Sequence, residues 1–404
     1  MNKLALEGVR ITDFSQVWAG PYITLLLGFM GAEIIKIESM KRLDQSRTYS
    51  LTLRRVFEGV EQSPLFNDLN LNKLSIRLDL THPKAVELAK RIVKVSDIVV
   101  QNFRPGVMER LGLGYEALRE VKPDIIYLSS SARGMQGPER HYVGYAPCFA
   151  ALGGQAHITG YADGPPFAMR GRIDLLSATT SAFAILAALN YRRRTGEGQH
   201  IDLSSSETTS VLIGDVIMDY TMNRRSQTRR GNRDEIMAPH NCYRCKGDDK
   251  WVSIAISTEE EWKSFCHAIG NPEWTKEERF SDAYSRWNNQ EELDRLVTEW
   301  TASRTHYEVM EILQKAGVAA IPSFNAEEIF NNPHLRERNF ASEVDHPVIG
   351  KQVVINPPWK LSATPATVRR HGPLLGEHNQ YVFSELLGIS EQEIASLVEE
   401  KAIY

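Results

Sequence analysis

An alternation in the first half of the chain constrains its fold most. Short apolar runs at 9–14, 33–37, 75–80, 97–100 and 124–128 take turns with stretches of helical periodicity at 21–30 and 83–95. The runs read as strands and the periodic stretches as helices, with Gly31 closing the first helix and Thr81 capping the second. Strands alternating with helices build βαβ units and a mainly parallel sheet, so the fold class is α/β. Residues 175–194 read as a long helix, apolar in its middle and basic at its end, which suits the helix dipole. A strand at 199–203 and a helix at 205–223 follow. At 224–234 the composition turns to Arg, Asn, Ser and Gly, which predicts a domain boundary. A strand at 251–256 and helices at 259–269, 290–302 and 306–316 predict a smaller α/β unit. The expected domains are therefore 1–223, 224–330 and a return segment 331–404.

A chain of 404 residues is long for one core and fits two domains. Its 47 basic and 51 acidic residues give a net charge of −4. No overall field favours nucleic acid or a membrane, so an acidic ligand must meet a local basic patch. The first residues lack the pattern of a secretory signal, and the longest apolar run, 175–189, is broken by Ser and Thr. The expected location is the cytoplasm. Four cysteines in a chain this long do not make a disulfide framework. Cys242 and Cys245 have CxxC spacing, but no second ligand pair follows for zinc. Gly112 and Gly114 form a lone GxG after a helix, not a dinucleotide fingerprint. Hydrolase, kinase and metalloenzyme motifs are missing from the sequence, and no metal or permanently bound cofactor is expected.

Polar residues gather where strands end, the place where ligands sit in open α/β sheets. Gln16, Val17, Ala19 and Gly20 follow the first strand, and the two small residues would let a ligand approach the next helix. Lys41, Arg42 and Arg47 follow the second strand. Asn72 and Lys73 precede the third, and Asn102, Phe103, Arg104 and Arg110 follow the fourth. Cations beside an aromatic ring suit a phosphate-rich ligand with an adenine. The plainer reading is a solvated basic rim. Asp174 begins the long apolar helix, where Asp ordinarily serves as an N-cap. The same position would hold it ionised and nucleophilic without a base. The two roles are compatible.

The stretches FSQVWAGPYITLLLGFMGAEIIKIE (14–38), LNLNKLSIRLDL (69–80), VVQNFRPGVMERLGLGYEAL (99–118), GPERHYVGY (137–145), GRIDLLSATTSAFAILAALNYRRRTGEGQHIDLS (171–204) and PLLGEHNQYVFSELLG (373–388) resemble the class III CoA-transferases. The resemblance covers nearly the whole chain. It implies a Rossmann-like large domain from both chain ends, an inserted small domain, and two chains interlocked as a dimer. It implies CoA thioesters as substrates and Asp174 as a covalent nucleophile, passing through a mixed anhydride and an aspartyl-CoA thioester. Gln16, Val17, Ala19, Lys73, Asn102, Phe103, Arg104 and Arg110 match positions that line the CoA site.

The chain also departs from its relatives. Gly144-Tyr145-Ala146 stands where many carry Gly-Tyr-Asp, which removes an assisting carboxylate. The Gly-rich lid of formyl-CoA transferase is replaced by 231–245, which carries His240. Thr48 stands where that enzyme carries Trp, which implies a roomier acyl pocket. Arg47, Thr48, Tyr145 and His240 are expected to face the acyl substrate, Arg47 or His240 holding a second carboxylate. These features favour succinyl-CoA as donor and a bulky, aromatic or succinate-derived acceptor such as benzylsuccinate. An α-methylacyl-CoA racemase-like isomerase is an alternative, though its His is absent beside Ala146. A non-catalytic partner in a hetero-oligomer with a homologous subunit is another.

Overall fold

The computed structural model describes residues 4–48, 59–167 and 172–404. They divide into two compact units. The first takes the described residues within 1–156, 168–225 and 337–404, the second 157–167 and 226–336.

The first unit holds β1 (Arg10–Asp13), β2 (Glu33–Glu38), β3 (Lys73–Arg77), β4 (Ile98–Gln101), β5 (Ile126–Ser131) and β6 (His200–Ser204). They form one sheet in the order β3-β2-β1-β4-β5-β6, every neighbouring pair parallel. The strands read as apolar runs because both faces are covered. On one face Ile35, Ile37, Leu74 and Ile76 pack against Leu88, Ile92 and Val93 of α2 (Pro83–Lys94). On the other Ile11, Ile34, Ile98 and Leu128 meet α1 (Ala19–Phe29) and α3 (Arg172–Thr195). Ile34 and Ile35 thus serve opposite faces, as the two-residue period of a strand requires.

The C-terminal return completes this core. Val382, Phe383, Leu397 and Ile403 lie in the cluster with α2. Leu78 bridges Ile403 in antiparallel fashion, and Asp79 N donates to Ala402 O at 3.0 Å. Helix α3 is long and apolar enough to cross a membrane by length and composition. Here Ala178, Ala182, Ile185 and Leu189 place its inner face in the core against α1.

Local readings shift in four places. β3 starts at Lys73 rather than residue 75, so Lys73 belongs to a buried strand. His82, not Thr81, caps α2, because Asp79 accepts from both the amide and the hydroxyl of Thr81. The helix read over 205–223 is two, α4 (Ser205–Val211) and α5 (Gly214–Asn223), interrupted before Gly214, a poor helix former. The return segment also contains a hairpin the sequence reading missed, Ala341–His346 with Gly350–Ile355.

The second unit packs an antiparallel sheet of β7 (His240–Arg244), β8 (Trp251–Ala255) and β9 (Ala319–Pro322) on helices α6 (Glu259–Ala268), α7 (Gln290–Ala302) and α8 (His306–Lys315). Tyr243, Val252, Ile254 and Ala320 face Phe265, Leu293, Val297 and Leu313. Residues 157–167 join this unit although the sequence gives no sign of it. Gly231 N donates to Gly160 O at 2.8 Å, and Arg229 Nη1 to His157 O at 3.0 Å.

Candidate active site

The strand order reverses between β1 and β4, which opens a crevice beyond their carboxyl ends. The turn after β1 and the turn after β4 meet there. Gln16 N donates to Asn102 Oδ1 at 2.9 Å, and Asn102 Nδ2 donates back to Gln16 O at 2.8 Å. Asn102 therefore fixes the Gln16 peptide units rather than pointing freely at solvent. Gly20 fits beneath this junction. A Cβ there would lie 2.3 Å from Ser15 Cβ and 2.8 Å from Asn102 Cγ. Its smallness serves the packing of the two turns, not the approach of a ligand, which corrects the sequence-based reading.

Val17 has φ of +73°, an uncommon conformation for a β-branched residue. Such strain costs on the order of 1–3 kcal/mol and persists only where surroundings over-determine it. Here Val17 N donates to Asp44 Oδ1 at 2.9 Å. The amide is thereby turned inward, away from any ligand.

A buried set of charges lies below this turn. Asp13, Lys36, Asp44 and Lys73 have at most 2% of their surface exposed. Lys36 Nζ sits 3.0 Å from Asp44 Oδ2 and donates to Ser15 O at 2.7 Å. Lys73 Nζ lies 3.3 Å from Asp13 Oδ2 and donates to Pro21 O at 2.8 Å and Asn70 Oδ1 at 2.9 Å. Two cations and two anions balance, as buried charge requires. Burial alone would push the Asp13 and Asp44 carboxyls up, but the facing lysines more than reverse it and hold both below the usual range. Burial wins at Lys73, whose pKa falls to about 8. Lys73 is thus an interior cation with engaged donors, and the structure does not place it as a surface contact for CoA.

Arg47 receives the same correction. It has 1% of its surface exposed and binds Glu38 through Nε and Nη2, both at 2.8 Å. Its Nη1 meets Glu61 at 2.7 Å, and its guanidinium stacks 3.5 Å from the Phe66 ring centroid. Every face is engaged, so it offers no fork to an acceptor carboxylate. Thr48 is exposed at the edge of the described residues.

On the outer rim, Arg104 and Arg110 are exposed and Phe103 is half-buried, its ring packed on the sheet core. Gln16 and Ala19 are half-buried, and the Gln16 side chain makes no hydrogen bond to a described residue. Tyr145 is 67% exposed. Beyond β5 and β6 lies a cleft of about 310 Å³ lined by Arg133, Arg140, Ser204 and Ser206. Sequence reasoning missed these arginines, although their position after the fifth strand was a usable signal.

Asp174 sits in the first turn of α3 rather than at its N-cap. Helix α3 leads by a short turn into β6 and runs antiparallel to it, so its N-terminus lies at the carboxyl edge of the sheet. Ala146, Phe149, Ala150 and Ile173 form an apolar cluster at this end. Ala146 is thus packed in this apolar cluster with Ile173. Asp174 makes no ion pair or hydrogen bond to a described residue, and burial pushes its pKa up to about 6. Burial thus works against the helix dipole that the sequence reading invoked to keep this group ionised. At neutral pH the carboxylate is still mostly ionised, and it is poorly solvated.

His240 belongs to the second unit, where its Nδ1 lies 2.6 Å from Asn232 O. A carbonyl only accepts, so Nδ1 carries the proton. His240, Arg233, Cys242 and Ser253 line a cleft of about 450 Å³ within that unit. Cys242 stands on β7 and Cys245 is buried just beyond it, its thiol raised to about 11 by burial and by Cys242. The Cys245 thiol is therefore not poised for redox chemistry. Among the described residues no group of His, Cys, Asp and Glu could hold a metal ion.

The profile of "CoA-transferase family III" matches residues 6–379 of this chain. The succinyl-CoA–D-citramalate CoA-transferase of Chloroflexus aurantiacus is 34% identical over 399 residues, covering 98% of each chain. The succinyl-CoA–L-malate CoA-transferase beta subunit of the same organism is 30% identical over 404 residues, covering 99% of this chain and 98% of its own. A CAIB/BAIF family protein from Brucella suis has a crystal structure that superposes with a TM-score of 0.86 at 28% identity, covering 96% of this chain and 100% of that one.

Proposed function

The chain belongs to CoA-transferase family III, and from that membership we propose that it carries CoA from succinyl-CoA to a short dicarboxylic acid by covalent turnover on Asp174. The observation that carries this is the desolvated Asp174 carboxylate at the sheet's carboxyl edge. An Asp Oδ attacks the thioester carbonyl and the C–S bond breaks, leaving a mixed anhydride and CoA thiolate. The thiolate then attacks the aspartyl carbonyl, releasing succinate and forming an aspartyl-CoA thioester. The acceptor carboxylate attacks that thioester and forms a second anhydride. The returning thiolate attacks the acceptor's acyl carbon, which regenerates Asp174. No proton moves in the four steps, so no general base is needed. Both anhydrides hydrolyse if wet, and the apolar cluster around Ala146 and Ile173 supports a dry site.

Donor and acceptor follow from the relatives, two of which are named for succinyl-CoA with D-citramalate or L-malate. The case for a bulky or aromatic acceptor rested on Thr48 and on Arg47 or His240 as an extra cation, and of these Arg47 is internally paired. On the relatives' named acids a short dicarboxylate replaces benzylsuccinate as the preferred acceptor, with His240 the remaining candidate for its second carboxylate. Gln16, Ala19, Phe103, Arg104 and Arg110 form the proposed CoA rim, and Tyr145 and His240 remain proposed acyl contacts. We place the enzyme in the cytoplasm as an interlocked dimer. The beta-subunit relative supports a second arrangement, pairing with a homologous subunit.

Borohydride trapping tests the chemistry. Incubation with succinyl-CoA, reduction and peptide mass spectrometry is expected to find Asp174 reduced to homoserine only when thioester is present. An unmodified Asp174 in a protein that still binds CoA would sink covalent transfer and favour the isomerase or silent-subunit alternatives. A panel of acceptors with succinyl-CoA tests the acid. Turnover of monocarboxylic aromatic acids without any C4–C5 dicarboxylate overturns the substrate assignment.

A further inference from the structure

The turn after β1 is held from both sides by buried charge, and the holder lies far from the reacting atoms in sequence. Four consecutive backbone groups are engaged by side chains of other segments. Ser15 O accepts from Lys36 Nζ, Gln16 N and Gln16 O pair with Asn102, and Val17 N donates to Asp44 Oδ1. Asp44 is itself fixed. The same Oδ1 accepts from Ser46 N at 2.9 Å and Ser46 Oγ at 2.8 Å, while Oδ2 faces the Lys36 ammonium at 3.0 Å. Lys36 draws the carbonyl before Gln16, and Asp44 draws the amide after it. Together they keep Val17 in the left-handed region at φ +73°, a conformation its branched side chain disfavours. Only Gln16's side chain escapes this clamp, and it stands at the β1–β4 crevice without a hydrogen bond to a described residue.

We propose that Asp44, backed by Lys36, is a positioning residue for the transfer reaction: it holds Val17 left-handed and thereby aims the Gln16 amide at the reacting thioester. This rests on the CoA-transferase reading given above. A carboxylate is needed at residue 44 because the group must accept from an amide on one oxygen and face an ammonium on the other. An asparagine would turn its own donors toward Lys36. The Gln16 side-chain Nε2–H would then meet developing charge on the thioester oxygen, where a fixed donor is worth most.

Steady-state kinetics of Asp44→Asn, and of Asp44→Asn combined with Val17→Gly, test the assignment with succinyl-CoA as donor. Asp44→Asn is expected to lower kcat per folded enzyme at least tenfold while the donor KM changes less than threefold, since the proposed rim contacts at Ala19, Phe103, Arg104 and Arg110 are untouched. Adding Val17→Gly is expected to recover at least threefold, because glycine takes this φ without penalty. A purely structural role would lower Tm, leave kcat per folded enzyme unchanged, and show no recovery. A kcat within twofold of wild type, or no recovery in the double variant, overturns the proposal. If Asp44→Asn does not fold, Lys36→Met with Asp44→Leu removes both charges together, and the same two thresholds on kcat decide. If the wild-type chain transfers no CoA, the functional reading is what fails. The crystal structure of Asp44→Asn then decides the clamp, which is refuted if Val17 keeps its positive φ.

Discussion

Asp174, the proposed nucleophile, is a carboxylate that works against folding when ionised. Its folded pKa is raised from 3.8 to about 6 by burial. The ionised form therefore opposes folding. That cost is absent below about pH 4, where both folded and unfolded chains hold the proton, and complete above about pH 6. Asp174→Asn should abolish transfer and stabilise the protein by about 1–2 kcal/mol at pH 8, after allowance for residual water contact. The Tm difference from wild type should shrink to zero near pH 4. The wild-type kcat/KM should fall tenfold per pH unit below about pH 6, as the nucleophile is protonated. Arg47 gives the opposite pattern. Its removal leaves Glu38 buried without its partner, so Arg47→Met should cost about 3–5 kcal/mol in stability. The acceptor KM of the folded fraction should stay unchanged. A shifted KM with an unaltered Tm would return Arg47 to the substrate site.

At the scale of elements, α3, α4 and α5 carry apolar side chains that no described residue covers. Phe183, Val211, Met218 and Met222 are 73%, 79%, 60% and 72% exposed. Large exposed apolar patches mark contact surfaces. These residues are candidate contacts for a second chain. Met218→Lys with Met222→Lys should halve the mass seen by light scattering, or abolish assembly, while the far-UV spectrum is retained. Unchanged mass would place the dimer contact elsewhere. The break before Gly214 belongs to this scale too. The apolar pattern runs through 205–223 as if it were one helix, and only the interruption turns α5 away from α4.

Across the whole molecule, two units carry separate hydrophobic cores. One is the sheet with its two helical covers, and the other is the small antiparallel sheet packed on α6, α7 and α8. Units with their own cores need not unfold together. Calorimetry should give a heat absorption broader than a single transition, with calorimetric enthalpy exceeding the van't Hoff value. Free CoA should raise the melting of the first unit, which carries the proposed rim, by mass action. One sharp transition with equal enthalpies would mean that the units unfold as one body.

The sequence by itself determined the parallel sheet, the family and the candidate nucleophile. These are local signals: apolar strand runs, amphipathic helices between them, and an Asp where an apolar helix begins. The elements of both cores follow from them with boundary shifts of a few residues, whereas the strand order came from the tertiary structure. The tertiary structure alone decided which charges are working groups. Lys73 and Arg47 read as surface cations because their partners lie far along the chain, at Asp13 and Pro21 for one and at Glu38, Glu61 and Pro373 for the other. A charge enters a core only when such partners converge on it, and nothing in its own neighbourhood of sequence records that convergence. The same reason kept Asp44 and Lys36 out of sight, although a lysine inside the apolar strand EIIKIE was a sign that some buried anion had to face it.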